Sequence, residues 1–183
     1  MNILVCGHID HGKTWTIYAL MKTLERRFGI KNEYTENAMT EDPDYTINKD
    51  PFHYVFHFDG NRYHFFDFFD IDEYEAFLHD ENSEVDAALL VCAATDGPLR
   101  QTYETVPLLR EKGIEKLAVY LNKTDLIDDE DLIDFVKMDI DDLLEENGYS
   151  DVPYFYGASK YACYFGGEKY EEVLLEMFRS FAE

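Results

Sequence analysis

The order of hydrophobic and polar positions along the chain predicts alternating strands and helices. Short apolar runs predict buried strands at 3–6, 87–92, 117–121 and 152–156. Apolar residues spaced three and four apart predict five helices. The first follows the glycine-rich turn after residue 6 and ends near residue 28, and the others span 72–79, 101–112, 129–147 and 168–181. Two aromatic-rich strands, 52–58 and 62–66, flank the turn signal Asp59-Gly60-Asn61. We expect 30–50 to be a long polar loop.

This alternation predicts an α/β fold of three layers, a mostly parallel sheet with helices on both faces. The length of 183 residues suits one domain, 1–183, and 46% hydrophobic residues suffice for its core. Ligands of such sheets bind at the carboxyl ends of the strands. The loops after residues 6, 66, 121 and 156 are therefore the places to look for chemistry.

The first of these loops carries a phosphate-binding motif. Residues 7–14 read Gly-His-Ile-Asp-His-Gly-Lys-Thr, which fits the pattern GxxxxGK[ST] between a strand and a helix. Its backbone N–H groups can surround a β-phosphate, Lys13 can reach the β- and γ-phosphates, and the Thr14 hydroxyl can bind Mg²⁺. The motif indicates a P-loop NTPase fold. A metal site at His8 and His11 is the less favoured alternative.

The loop after residue 121 indicates a guanine base, and the loop after residue 156 gives a weak signal by itself. Asn122-Lys123-Thr124-Asp125 follows a predicted strand, and a buried Asp125 carboxylate can accept from guanine N1–H and N2–H₂, a donor pair that adenine lacks. The Lys123 stem can lie along the purine, and Asn122 can tie the loops together. Gly157-Ala158-Ser159-Lys160 follows the last strand. The residues expected to contact nucleotide are Gly7, His8, Ile9, Asp10, His11, Gly12, Lys13, Thr14, Trp15, Asn122, Lys123, Asp125, Leu126, Ala158, Ser159 and Lys160.

The charge balance excludes several classes of function. With 16 basic and 39 acidic residues, the formal net charge is −23, which repels phosphate backbones, so we expect no direct binding of nucleic acid. A basic protein partner remains an alternative to a merely solubilising acidic surface. No run of 18 apolar residues predicts a membrane span, and no basic signal region opens the chain. Three scattered cysteines, Cys6, Cys92 and Cys163, fit a reducing cytoplasm.

These motifs resemble those of the GTP-binding domain of elongation factor Tu over nearly the whole chain. The resemblance rests on three segments: the P-loop, the segment 93–98 with Gln101-Thr102, and 121–125 followed by Asp128-Asp129-Glu130. It implies a translational GTPase that binds GTP or GDP with Mg²⁺. The P-loop would be 7–14, switch I about 30–50, switch II about 67–80, and the base loops 122–125 and 157–160. We expect the two β-barrel domains of that family to be lacking.

Both switches depart from the family pattern. Thr46 is kept in switch I and is expected to act in catalysis with Lys13 and to bind Mg²⁺ with Thr14 and Asp67. In switch II, Asp70 replaces a glycine that contacts the γ-phosphate, and Ile71 replaces the histidine that positions water. Loss of such a group typically lowers the rate about 10²- to 10⁴-fold. An alternative alignment would give a role to Asp72.

We therefore expect a G domain that binds GDP or GTP and hydrolyses GTP slowly or not at all. An inactive GTPase domain that serves as a protein-interaction module is the alternative. A small-molecule P-loop kinase is a third hypothesis, which the guanine-reading loop disfavours.

Overall fold

The computed structural model describes residues 1–30, 33–34, 52–69 and 71–182, and one sheet runs through this part of the chain. Seven strands form it: β1 (Asn2–Cys6), β2 (Glu33–Tyr34), β3 (Phe52–Phe58), β4 (Asn61–Asp67), β5 (Ala87–Ala93), β6 (Lys116–Asn122) and β7 (Tyr154–Tyr156). Within the described residues, six α-helices accompany them: α1 (Lys13–Phe28), α2 (Ile71–His79), α3 (Arg100–Glu111), α4 (Glu130–Glu146), α5 (Ser159–Phe165) and α6 (Glu168–Ser180). A 3₁₀ turn spans Thr124–Leu126.

The sheet is mostly parallel, which confirms the predicted α/β class. Its strand order is β2-β3-β4-β1-β5-β6-β7. Strands β4, β1, β5, β6 and β7 pair in parallel, while β3 runs antiparallel to both β4 and β2. The hairpin β3–β4 follows from the Asp59-Gly60-Asn61 turn signal. Because the parallel strands end at one edge, the loops after β1, β4, β5, β6 and β7 converge there.

Helices cover both faces of the sheet because the central strands are apolar on both sides. Alternate residues of β5 enter two separate cores, with Leu89 in one and Leu90 in the other. Helices α1, α5 and α6 contribute to the first core, and α2, α3 and α4 to the second. Within the described ranges, no helix has the length and apolar character needed to cross a bilayer.

The structure departs from the sequence-based prediction in two elements. Two residues of the predicted irregular segment 30–50 form β2, which pairs with β3. A short helix, α5, begins at Ser159 within the predicted base loop 157–160 and runs to Phe165, where no helix was predicted. Thr46 and most of switch I, and also Asp70, lie outside the described residues, so their predicted roles stay predictions.

Candidate nucleotide-binding site

The loop between β1 and α1 is a tight turn in which two positions require glycine. Gly7 and Gly12 have positive φ angles of 127° and 91°. A Cβ atom on Gly7 would lie 2.1 Å from the carbonyl oxygen of Val91, and one on Gly12 would lie 2.2 Å from Nδ2 of Asn122. Both glycines of the GxxxxGK pattern are therefore demanded by packing as well as by backbone conformation.

The start of α1 is suited to bind an anion. Its N-terminus has no side-chain cap, and its first turn carries no acidic residue. Lys13 is buried in the same loop, and its Nζ donates to the carbonyl oxygens of Gly7 at 3.1 Å and His8 at 3.4 Å. Burial lowers the pKa of this ammonium, and the Asp67 carboxylate opposes that shift. Backbone N–H groups, the helix dipole and one ammonium thus converge where a phosphate would lie.

Thr14 and Asp67 meet beside this loop. The Thr14 hydroxyl donates to Oδ2 of Asp67 at 2.6 Å. Asp67, at the end of β4, is buried, and its Oδ1 has no hydrogen-bond partner among the described residues. Burial raises the pKa of the carboxyl, while Lys13 and the bond from Thr14 lower it. A hard cation such as Mg²⁺ prefers oxygen ligands, and a buried carboxylate oxygen with no partner fits such an ion or its bound water.

The two histidines of the P-loop lie against each other, with ring centroids 5.3 Å apart in an edge-to-face arrangement. Neither ring nitrogen of His11 has a hydrogen-bond partner within the described ranges, and burial lowers the pKa of His11 to about 4. Over that part of the chain, no group of three or more His, Cys, Asp or Glu side chains could hold a metal ion. The geometry thus offers no additional ligand for the histidine metal site that we considered.

Asn122 joins three loops into one site. Its Nδ2 donates to the carbonyl oxygen of His11 at 2.9 Å, and its Oδ1 accepts from the backbone N–H of Ser159 at 2.9 Å. The hydroxyl of Ser159 lies 2.9 Å from that of Thr16 in α1. One buried amide at the end of β6 therefore fixes the P-loop against the loop that follows β7.

A cavity of about 580 Å³ opens between the P-loop and the two base loops. Its lining consists of Asp10, Gly12, Trp15, Asn122, Lys123, Asp125, Leu126, Ser159, Lys160, Tyr161, Tyr164 and Phe165. The first nine were expected from the sequence, and the three aromatic residues of α5 were missed. Of the other expected residues, Ala158 is buried, and Gly7, His8, Ile9, His11, Lys13 and Thr14 belong to the adjoining phosphate loop.

Asp125 is exposed in this pocket, which corrects the expectation that it is buried. It lies in the 3₁₀ turn after β6. A bound base would cover this carboxylate and shield it from water, and that shielding would make its hydrogen bonds selective for guanine. Lys123 precedes that turn in a left-handed conformation, with φ 62°. Its Nζ lies 3.5 Å from Oδ2 of Asp96, a carboxylate that sequence reasoning did not assign to the site.

Gln101 connects the P-loop to the segment after β4. Its Oε1 accepts from the backbone N–H of Ile9 at 2.9 Å, and its Nε2 donates to the carbonyl oxygen of Phe69 at 3.5 Å. Ile71 begins α2, is half-buried and packs against the second core. Asp72, the alternative switch II carboxylate, is exposed in the first turn of α2.

Comparison with known protein families adds a finding that is independent of this geometry. The family described as Elongation factor Tu GTP binding domain matches residues 1–182 of the 183-residue chain. The matched range includes the P-loop, the segment after β4 and both base loops.

Proposed function

Since this chain belongs to the elongation factor Tu GTP-binding domain family and is therefore a guanine-nucleotide-binding domain, we propose that it holds GDP or GTP together with Mg²⁺ and hydrolyses GTP slowly or not at all. A role in translation, by analogy with the family, is part of this proposal.

The continuity of the site carries the proposal. The Asn122 amide bonds to the P-loop and to the loop after β7, so the place for phosphate at Lys13 and the place for a base at Asp125 belong to one cleft. A nucleotide has both a base and a phosphate end. Asp125 would accept hydrogen bonds from the guanine N1–H and N2–H₂ groups, and adenine could not satisfy that carboxylate.

Thr14 and Asp67 are the described residues that would hold Mg²⁺. The Thr14 hydroxyl would bind the ion directly, and Asp67 would accept from a metal-bound water through its unpartnered oxygen. When bound, Mg²⁺ neutralises charge on the phosphates. Lys13 would give up its bonds to the loop carbonyls and donate to phosphate oxygens instead.

Slow hydrolysis is proposed because of Ile71. An aliphatic side chain neither accepts a proton from water nor orients it, and Ile71 packs against the second core. The amide of Gln101, which contacts this segment, is engaged with the backbone of Ile9 and Phe69. Loss of a group that orients the attacking water commonly lowers the rate about 10²- to 10⁴-fold.

The release of labelled GDP in Mg²⁺ and in EDTA tests the coupled nucleotide and metal site. We expect EDTA to accelerate release from the wild type, and Thr14→Ala to release GDP quickly in both conditions because it lacks the hydroxyl ligand. Ser150→Ala, an exposed hydroxyl before β7, is the matched control and should behave as wild type. Equal release rates for the wild type with and without Mg²⁺ would exclude the metal site.

A protein-interaction module is the second candidate, and one observation favours it. Leu132, Phe135 and Met138 are exposed at three-residue spacing along α4, which otherwise carries mainly carboxylates. Exposed apolar side chains in an acidic helix suit a basic partner with apolar residues. Single-turnover GTP hydrolysis tests this second candidate, because a rate above that in buffer alone would exclude an inactive module.

A further inference from the structure

An aromatic cluster at the start of α1 lies beside the base loops. Trp15, the only tryptophan, has an exposed fraction of 9% and lines the pocket together with Lys160 and Tyr164. Its ring centroid is 5.5 Å from that of Tyr164. The Lys160 ammonium lies over the indole, 4.9 Å from the ring centroid. The indole therefore lies between an aromatic ring and a cation that both belong to α5.

This cluster is held by packed helices. Helices α1 and α5 both contribute to the first core, and Trp15 and Cys163 are members of it. A second ring contact, with centroids 6.2 Å apart, joins Trp15 to Tyr18 one turn later. A preformed surface of this kind loses little conformational entropy when it binds a ligand.

We infer that Trp15, Lys160 and Tyr164 form a fixed wall that contacts the base and ribose of the bound nucleotide, an inference that rests on the proposed function. The indole and the lysine stem supply apolar surface for a purine and a sugar, and the cation–π contact keeps Lys160 beside the ring. Affinity for guanosine would then arise from this wall and Asp125, independently of the phosphates and Mg²⁺. Trp15 determines affinity through its side chain, in addition to any backbone contact with phosphate.

Three ligands separate contact with the base and ribose from contact with phosphate: GDP, guanosine and inorganic pyrophosphate. Dissociation constants are measured for the wild type, Trp15→Thr, Trp15→Phe and Tyr164→Ala. We expect Trp15→Thr to weaken guanosine and GDP by the same factor, about tenfold, which is the usual size of one base–aromatic contact. Trp15→Phe should retain most of the affinity for guanosine and GDP, and Tyr164→Ala should bind both about threefold more weakly. Pyrophosphate binding should change less than about twofold in all three.

Several outcomes would overturn the inference. Unchanged guanosine binding in Trp15→Thr would place the indole away from the ligand. An equal loss of pyrophosphate and guanosine affinity would mean that Trp15 only supports the P-loop. If Trp15→Thr does not fold, two other measurements test the inference. They are the guanosine affinity of Tyr164→Ala, in which an exposed ring is removed, and the change in Trp15 fluorescence when guanosine is added to the wild type. Unchanged guanosine affinity in Tyr164→Ala, together with no fluorescence response of the wild type to guanosine, would then reject the wall.

The failure of the proposed function has a different signature. In that case the wild type would not bind GDP, or Asp125→Asn would leave GDP binding unchanged. Phe135→Ala, which removes an exposed ring on α4, is the control for loss of an aromatic side chain elsewhere and should bind all three ligands as the wild type does.

Discussion

Asp125 presents an exposed carboxylate to the pocket, and its partners would come from the bound base. Guanine offers two donors to a carboxylate, whereas xanthine carries an oxygen in place of the exocyclic amine. In Asp125→Asn, the amide adds a donor where guanine needs an acceptor. We therefore expect this variant to lose affinity for GDP and to gain it for xanthosine diphosphate.

Competition binding with GDP, xanthosine diphosphate (XDP) and ADP measures how the preferred base changes between the wild type and Asp125→Asn. Asp128→Asn, an exposed carboxylate three residues later in the chain, is the control and should leave the preference for guanine unchanged. If the wild type binds ADP as tightly as GDP, Asp125 does not read the base.

His11 gives the P-loop a pH dependence of its own. Burial, and next the nearby His8, lower the pKa of His11 from 6.5 to about 4. Between those values the unfolded chain binds a proton at this site that the folded protein does not, so acidification favours unfolding. The free energy of unfolding should fall by up to about 1.4 kcal/mol for each pH unit below 6.5, and this contribution should level off below pH 4.

Urea denaturation of the nucleotide-free protein between neutral pH and about pH 4 checks this expectation. The difference between the wild type and His11→Gln isolates the histidine from the many carboxylates, which titrate in both proteins. Parallel pH profiles for the two proteins would contradict a neutral buried imidazole.

Some site residues could be predicted from local sequence patterns, whereas others could be identified only from the folded structure. Gly7 and Gly12 could be predicted because the phosphate-loop pattern itself demands their conformation. Asn122 was predicted to tie the loops, and its side chain bonds to two of them. Asp96 and Tyr164 reach the site only through the packing of separate elements. The one available signal for Asp96 was its position in the segment 93–98, directly after a buried strand.

At the scale of elements, the central strands were predictable and α5 was not. Strands such as β5 are apolar on both faces, and their short length between turn residues identifies them as buried strands. Helix α5 has the reverse character, since its buried side is made of the small residues Ser159, Ala162 and Cys163. Its large side chains Tyr164 and Phe165 face the pocket and solvent. A hydrophobic pattern cannot identify a helix whose large apolar side chains lie outside the core.

Switch II is the element in which the sequence predicts altered chemistry. A glycine at position 70 could turn its peptide N–H toward a γ-phosphate, whereas Asp70 has less backbone freedom and a negative charge. A carboxylate about 4 Å from the phosphate costs roughly 1–4 kcal/mol per unit charge at effective dielectric constants of about 80 to 20. GDP avoids this repulsion, and Lys13 and Mg²⁺ offset part of it for GTP. We therefore expect a preference for GDP over GTP.

Dissociation constants for GDP and a non-hydrolysable GTP analogue measure that preference. Asp70→Gly should raise the affinity for the analogue relative to GDP. Adding Ile71→His should restore some hydrolysis, because the ring can orient water, whereas Ile71→Leu, the matched aliphatic control, should not. Equal or tighter binding of the analogue by the wild type would mean that Asp70 points away from the phosphates.

At the scale of the whole molecule, the dominant feature is the net charge of −23. The carboxylates accumulate on α4, which has no basic residue in its last turn to complement the helix dipole. Burial, and then charges that include Asp139, Glu146 and Asp142 of this helix, raise the pKa of the Tyr103 phenol. Such a surface repels nucleic acid and also opposes its own folding.

This self-repulsion predicts that salt stabilises the fold. The Debye length falls from about 30 Å at 0.01 M salt to about 10 Å at 0.1 M, which is shorter than the 17-residue helix α4, whose length is about 25 Å. We expect the thermal unfolding midpoint of the nucleotide-free protein to rise over this range. Neutralising two exposed carboxylates, in Asp139→Asn with Asp142→Asn, should raise the midpoint at low salt and reduce the gain from added salt.

Asp141 on the same helix provides the control, because its carboxylate has partners. It pairs with Lys137 and accepts from the Tyr154 hydroxyl at 2.7 Å. Asp141→Asn removes one negative charge but weakens both contacts, so we expect the midpoint to fall or stay unchanged. A simple count of charges would instead make the neutralisation of Asp141 as stabilising as that of Asp139 or Asp142. A midpoint that does not rise with salt in the wild type would show that local pairing, and not the net charge, governs the stability of this domain.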